Sequence, residues 1–412
     1  MPRRGFAIRA AMPSAALPPE AAGMRTRTDP GERDAWLALA AVPGVGPAIF
    51  GRLVGQLGGA ANVLTAARDG RLDAKGSGLR LGPGVIAGVA AAARDPAAVR
   101  EPLDELRLWT LTPLDAGWPP RLAVLDAGPV VLYGWGDPGA LDPAAAVAVV
   151  GTRRPTLVGR ALASKVATRL ADLGVVVVSG LAIGIDGAAH AAAVAARGRT
   201  IAVIGAGHRE PGPRAHRDLV AAILAGGGAV ISELPPDSPA TTGTFPRRNR
   251  LLSALGDAVI VIEAPARSGA LNTAHHALEQ GRPLLVAPGR PGDPSTAGCL
   301  RLLRETEARP LVGLDELTED LGLAAPTAPA SPPADGTELS TAERRIAATL
   351  AAGPGDLDRL IEATGLSPGA VTGALTLLQL RGWVRPVGPA FLAAGPLLRG
   401  LGDGGDPSAC AP

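Results

Sequence analysis

The rhythm of apolar positions along the chain changes near residue 147. Residues 33–100 carry apolar residues at helical spacing, broken by turns rich in Gly and Pro, and read as short helices. Farther on, six short β-branched runs alternate with amphipathic stretches of crossover length. These runs are Val147–Val150, Val175–Val178, Thr200–Ile204, Ala229–Ile231, Ala258–Ile262 and Leu284–Val286. Near-continuous apolar strands alternating with helices predict a parallel sheet covered on both faces, an α/β core. In such sheets ligands sit at the carboxyl ends of the strands, near a topological switch point.

Residues 321–340 are rich in Ala, Pro, Thr and Ser and read as a linker. Beyond them Thr341–Leu350, Asp356–Thr364 and Ser367–Arg381 have helical patterns, with Gly365-Leu366-Ser367-Pro368 as turn and cap. Trp383 to Leu392 fits a β-wing, which gives a winged-helix outline. The fold class is therefore α/β, a parallel sheet core with a small helical N-terminal domain and a winged-helix C-terminal domain. The expected division is a disordered leader at 1–30, a helical domain at 33–105 and the core at 106–318. A linker at 319–338, the winged helix at 339–395 and a disordered tail at 396–412 complete it. The leader has no signal-peptide apolar core, and Met24 offers an alternative start. Within the helical domain, Val42-Pro43-Gly44-Val45-Gly46-Pro47 fits either a tight turn between helices or a DNA-contacting hairpin, with a weaker copy at Leu81-Gly82-Pro83-Gly84.

The formal net charge of the 412 residues is only +2, but its distribution is uneven. Residues 147–310 carry 19 Lys and Arg against 12 Asp and Glu, whereas residues 311–412 carry 6 against 12. A polyanion is therefore to be sought on the middle segment. The acidic tail, with one basic residue at the end of its recognition helix, favours protein contact over specific duplex binding. Two distant cysteines, Cys299 and Cys410, form neither a disulfide framework nor a metal cluster and fit a reducing, cytoplasmic setting. No apolar run reaches membrane-spanning length, so no membrane association is expected.

The basic segment concentrates at Thr244-Phe245-Pro246-Arg247-Arg248-Asn249-Arg250, a candidate helix start with Pro246 at its first position. At 100° per residue Arg248 falls on the stripe of Leu251, Leu252 and Leu255, so it is expected to point along the sheet edge into the crevice. Other loops that follow strands carry Gly, hydroxyl and Arg residues: Gly151-Thr152-Arg153-Arg154-Pro155-Thr156, Ser179-Gly180-Leu181-Ala182-Ile183-Gly184-Ile185-Asp186, Gly205-Ala206-Gly207-His208, Arg267-Ser268-Gly269-Ala270-Leu271-Asn272-Thr273 and Pro288-Gly289-Arg290. Such loops at one edge supply backbone N–H and guanidinium donors for phosphates.

Competing chemistries fit poorly. Gly205-x-Gly207 does not continue into a dinucleotide fingerprint, and no phosphate-binding G-x-x-x-x-G-K-[ST] loop is present. Asp186 and His190, four apart, read as a local pair, and Ser179 lacks a nucleophile elbow. His275-His276 lacks metal-ligand spacing. Neither a cofactor, a metal nor a catalytic residue is expected.

The series GTRRPT, SGLAIGIDGAAH, SELPP, FPRRNR, EAPARSGALNTA and APGRPGDPSTAGC, in this order over 151–299, resembles the bacterial DNA-processing family DprA, also called Smf. The resemblance implies an extended Rossmann-like core that binds single-stranded DNA, self-associates as a homodimer, and loads the RecA recombinase onto incoming strands during natural transformation. It also implies the flanking helix-hairpin-helix or sterile-alpha-motif-like and winged-helix domains. Carried over by position, the implied DNA-binding residues are Gly151, Thr152, Arg153, Ser179, Gly180, Gly184, Asp186, Phe245, Arg247, Arg248, Asn249, Arg250, Ser268, Gly269 and Thr273. Among these, Thr152 replaces the family's serine and Arg247 occupies a variable position. Two further departures are Gly212-Pro213 in place of the family's Tyr-Pro and Ile183 in place of the family's Arg or Lys before Gly-Ile-Asp, a position that is often variable.

With ten aromatics in the whole chain, affinity should come mainly from phosphates and fall with salt. Arg153→Glu or Arg248→Glu is expected to weaken strand binding and leave the fold intact. The competing class is a nucleotide phosphoribohydrolase-like enzyme on a related core. Its Pro-Gly-Gly-x-Gly-Thr loop is replaced here by residues 267–273, with Glu263 before them.

Overall fold

The computed structural model describes residues 30–72, 81–321, 339–351, 355–380, 383–387 and 390–393. Contacts divide the chain into two compact units, residues 1–326 and 327–412. The first begins with helices α1 (Pro30–Ala40), α2 (Pro47–Leu57), α3 (Ala60–Arg68), α4 (Pro83–Ala92) and α5 (Arg100–Glu105). Strands β1 (Trp109–Leu111), β2 (Leu132–Gly136) and β3 (Ala146–Val150) follow, then α6 (Leu157–Asp172), β4 (Val176–Ser179), α7 (Ile185–Ala195) and β5 (Thr200–Val203). The core continues through α8 (Arg217–Ala225), β6 (Ala229–Ser232), α9 (Thr244–Leu255), β7 (Ala258–Val261) and α10 (Gly269–Glu279). It closes with β8 (Leu284–Val286), α11 (Ala297–Glu305), β9 (Arg309–Pro310) and α12 (Leu314–Asp320).

These strands form one sheet in the order β1-β2-β6-β5-β4-β3-β7-β8-β9. From β6 to β9 every pairing is parallel, as the alternation of strands and helices predicts. Strand residues alternate between two buried faces. Val147 and Val149 pack with α6 and α7, whereas Ala148 and Val150 pack with Leu251, Leu255 and Leu271 of α9 and α10. All five β3 residues are buried, which is why the strand reads as an unbroken apolar run.

Two features depart from the sequence reading. Antiparallel β1 and β2 extend the sheet beyond β6. Their segments, Trp-Thr-Leu and Leu-Tyr-Gly-Trp-Gly, are short and interrupted by glycine. Gly134 has no room for a Cβ because the Trp109 ring lies against it. The helical segment 33–105 is also not a domain apart from the core. Val131 and Tyr133 join the apolar cluster of Trp36, Phe50 and Leu53, while Leu132 faces the sheet core. Trp36 Nε1 donates to Val130 O at 2.8 Å, and Arg33 pairs with Asp115 at 2.8 Å. One strand thus serves two cores.

The second unit has α13 (Thr341–Ala351), β10 (Gly355–Asp356), α14 (Leu357–Thr364), α15 (Pro368–Leu380), β11 (Val384–Val387) and β12 (Ala390–Ala393). The three helices and the β10-β12-β11 sheet form a winged helix with its own core, including Ile346, Leu360, Val371 and Leu378. The leader up to residue 29, all of the 319–338 linker after Leu321, and the tail at 396–412 lie outside the described residues; Pro30 already belongs to α1, and the end of α12 overlaps that linker.

Candidate nucleic-acid interface

Strands β4, β5 and β6 extend from one side of β3, and β7, β8 and β9 from the other. The chain therefore reverses its winding between β3 and β7, and the crevice rule places a ligand at the carboxyl ends of these two strands. Their loops are locked together there. Thr152 N donates to Glu263 O at 2.7 Å. The Glu263 carboxylate, only 2% exposed, accepts from Thr156 N at 3.0 Å and Thr156 Oγ1 at 2.6 Å. Thr156 in turn caps α6, accepting from Gly159 N at 3.0 Å. Gly159 must lack a side chain, because a Cβ would strike Glu263.

This brace leaves Arg153 and Arg154 exposed. The Arg153 guanidinium lies 4.9 Å from the centroid of the Phe245 ring, a cation–π contact joining the β3 loop to α9. Gly184, at φ 92°, lets the β4 loop touch Thr152 O and the Arg153 backbone, where a Cβ would collide. Ile185 N then donates to Thr152 O at 3.2 Å.

Helix α9 starts at Thr244, so Pro246 occupies its third position rather than its first. It still lies in the turn whose N–H groups have no helical partner. The four polar residues that follow have different fates. Arg247 is exposed. Arg248 is 5% exposed, and its Nη1 donates to Gly180 O at 2.7 Å and to Val203 O. Asn249 is buried, its amide donating to Gly269 O and Asn272 Oδ1, both at 3.2 Å. Arg250 pairs with the buried side chain of Glu233.

The helical register expected for Arg248 is correct, and the side chain runs along the sheet edge rather than out to bulk water. Its Nη1 is held by carbonyls at the ends of β4 and β5. Gly180 separates it from Asp186, and a side chain at 180 would strike both. Burial pushes the Asp186 carboxyl up, opposed by the nearby Arg248 charge. Burial also brings Arg248 down to about 10. In the Glu233–Arg250 pair, burial likewise works against charge on both partners.

Asp186 and His190 do not form the expected pair. His190 Nδ1 lies 2.7 Å from Thr200 Oγ1, and burial pushes its pKa down to about 3. Ser179 is fully buried and donates to Val149 O at 2.6 Å, so its hydroxyl holds neighbouring strands together. Thr273 is buried within α10, while Ser268 caps that helix and Gly269 is exposed at its start.

The candidate set therefore separates into a surface and its foundation. Gly151, Thr152, Arg153, Gly184, Phe245, Arg247, Ser268 and Gly269 reach the surface wholly or in part. Ser179, Gly180, Asp186, Arg248, Asn249 and Thr273 lie beneath it, and Arg250 is half-buried. Exposed Thr156 and buried Glu263 brace this surface and are absent from the sequence-derived set, although a Thr directly before a helix is a recognisable cap signal. Exposed Arg154 and Arg267 extend the surface. Ion pairs among the described residues involve none of Arg153, Arg154, Arg247 and Arg267. A rigid edge carrying unneutralised guanidinium groups is suited to binding several phosphates at once.

Comparison with known proteins agrees with this architecture. Residues 109–322 match the profile of DNA recombination-mediator protein A, and residues 328–388 match the DprA winged helix domain. The chain is 37% identical over 285 residues to Protein Smf of Escherichia coli, an alignment covering 67% of this chain and 75% of that one. It is 38% identical over 288 residues to the protein described as a DNA processing protein DprA in Mycobacterium tuberculosis, covering 66% and 73%. The crystal structure of DNA processing protein A from Streptococcus pneumoniae superposes with a TM-score of 0.58 at 30% identity, covering 72% of this chain and 99% of that one. By sequence and by fold, the chain belongs to the DNA recombination-mediator protein A family, that of DprA and Smf.

Proposed function

We propose that this chain is a non-catalytic recombination mediator that holds single-stranded DNA along the carboxyl edge of its sheet. In this reading it acts in the cytoplasm as a homodimer, protects incoming strands and loads the RecA recombinase onto them during natural transformation. Family membership supports a role in DNA processing and recombination. The observation that carries strand binding is the set of exposed, unpaired arginines on loops braced across the β3–β7 switch point. A phosphate backbone satisfies such a surface without base readout.

The buried groups argue against hydrolytic chemistry. Glu263 is engaged by Thr156, and the Ser179 hydroxyl by a strand carbonyl. Neither is presented as a base or nucleophile with the geometry a catalytic role requires.

The test is a salt titration of single- and double-stranded oligonucleotide binding, with and without RecA. The reading expects preference for single strands, a steep loss of affinity with salt, and faster RecA filament assembly on strands carrying the protein. Equal affinity for duplex would refute the strand selectivity. Turnover of nucleoside monophosphates by the pure protein would instead establish the enzyme class.

A further inference from the structure

Two aliphatic side chains beside the arginine loop have no packing role that explains their presence. Leu157 and Val158, the first residues of α6, are 87% and 78% exposed, the highest values for large apolar side chains among the described residues. Ile183, on the β4 loop that packs against Thr152 and Arg153, is a further 46% exposed. Arg153 and Arg154 precede the pair and Arg160 follows it; all three are exposed. None appears in an ion pair among the described residues. The pair is also held in place, because the Thr156 cap and Glu263 fix the first turn of α6.

We propose that Leu157 and Val158 form an aliphatic ledge against which the unpaired bases of a bound single strand lie, while Arg153 and Arg154 hold its phosphates. The proposal rests on the reading of this sheet edge as a single-strand groove and adds the element that selects single over double strands. An unpaired strand has two chemically distinct sides, a charged backbone and apolar base faces. Arginines adjoining aliphatic side chains complement both. A duplex hides its base faces in the stack and gains nothing from the ledge.

Aromatic platforms usually serve this purpose. Here the aromatic residue placed at the edge is Phe245, and Arg153 already covers one side of its ring. Trp36, Phe50 and Tyr133 lie in the cluster shared by the helices and β2. Aliphatic surface adjoining the phosphate donors therefore takes the role. Val124 and Val312 are exposed as well, but neither adjoins this loop in sequence.

The test uses the full chain and the double variant L157S/V158S, with thermal unfolding to confirm that the exposed substitutions leave the fold intact. Three probes of equal length are titrated: oligothymidylate, an abasic deoxyribose-phosphate oligomer, and duplex. The double variant should lose about tenfold in affinity for oligothymidylate, the scale of one or two lost base contacts. Its binding of the abasic oligomer and its salt slope should not change. Leu157→Phe should bind oligothymidylate at least as tightly as the parent. An unchanged oligothymidylate affinity in the double variant rejects the ledge, and so does an equal loss on the abasic oligomer. A shift in oligomeric state or in vesicle binding with DNA affinity intact assigns the surface to a protein or membrane and likewise rejects it. If the parent binds no single strand, the groove reading fails first and takes the ledge's ligand with it, a result distinct from selective failure of the variant.

Discussion

Arg153 and Arg248 both serve the same sheet edge, yet their removal should have opposite signatures. Arg153 is exposed with its guanidinium over the Phe245 ring, so Arg153→Glu should leave the unfolding midpoint nearly unchanged and reverse a charge at the phosphate surface. Single-strand affinity is expected to fall about tenfold or more at low salt. Arg248 is buried, bonded to the ends of two strands and opposite buried Asp186. Arg248→Ala removes those donors and leaves a buried carboxylate without its compensating charge, a loss on the order of 3–5 kcal/mol. Denaturant unfolding of both variants beside oligonucleotide binding checks the division, and a fully stable Arg248→Ala would contradict it. Helical register placed Arg248 on the Leu251 stripe from sequence alone. Which carbonyls its guanidinium meets was not legible, because Gly180 and Val203 come from strands far away in sequence. His190 supplies a second residue-scale expectation. Its folded pKa, about 3, lies below the ordinary value near 6.5, so its contribution to stability is present above about pH 6.5 and declines as pH falls toward 3. Between pH 7.5 and 5.0, His190→Gln should lose less stability than the parent by about 2 kcal/mol. Asp186 and Glu233, whose pKa values are raised, act in the opposite direction but are common to both proteins. Identical pH profiles for the two would show that His190 is not the titrating group.

At the scale of elements, the site depends on two loops acting as one. Thr156 and Glu263 are 107 residues apart in sequence and meet because β3 and β7 are neighbours in the sheet. Thr156→Val removes the α6 cap and an acceptor-filling donor while preserving side-chain shape. It should destabilise the fold by about 1–2 kcal/mol and loosen the segment bearing Arg153 and Arg154. Single-strand affinity should then drop severalfold while the salt slope stays constant, since no charge has been removed. A changed slope would mean that Thr156 itself contacts the strand. The strands behind these loops were legible because double-sided burial demands unbroken β-branched runs, and all six lie within a residue of their expected limits. The antiparallel β1–β2 edge was not, because Gly134 and Gly136 interrupt its pattern and its partner is only three residues long. The Thr156–Glu263 contact was similarly hidden, since nothing local to either residue names the other.

For the whole molecule, charge was the most legible property. The basic excess of residues 147–310 folds into the unit that carries the exposed arginines, and the C-terminal unit has no comparable excess. Residues 327–412 contain six basic and eight acidic residues. They also form a compact unit with an apolar core of its own. A chain ending at residue 326 should therefore bind single strands within about twofold of the full chain. Its log affinity should fall with log salt at about 0.7 per phosphate engaged. If Arg153, Arg154, Arg247 and Arg267 all engage phosphates, that slope is near −3, and each arginine replaced by Ala should reduce its magnitude by roughly 0.7. A truncated chain whose slope falls well below the full chain's would place phosphate contacts on the winged helix, despite its charge. An equal slope with unchanged affinity assigns the phosphates to the sheet edge and leaves the winged helix for a partner other than the strand, as its acidic balance implies.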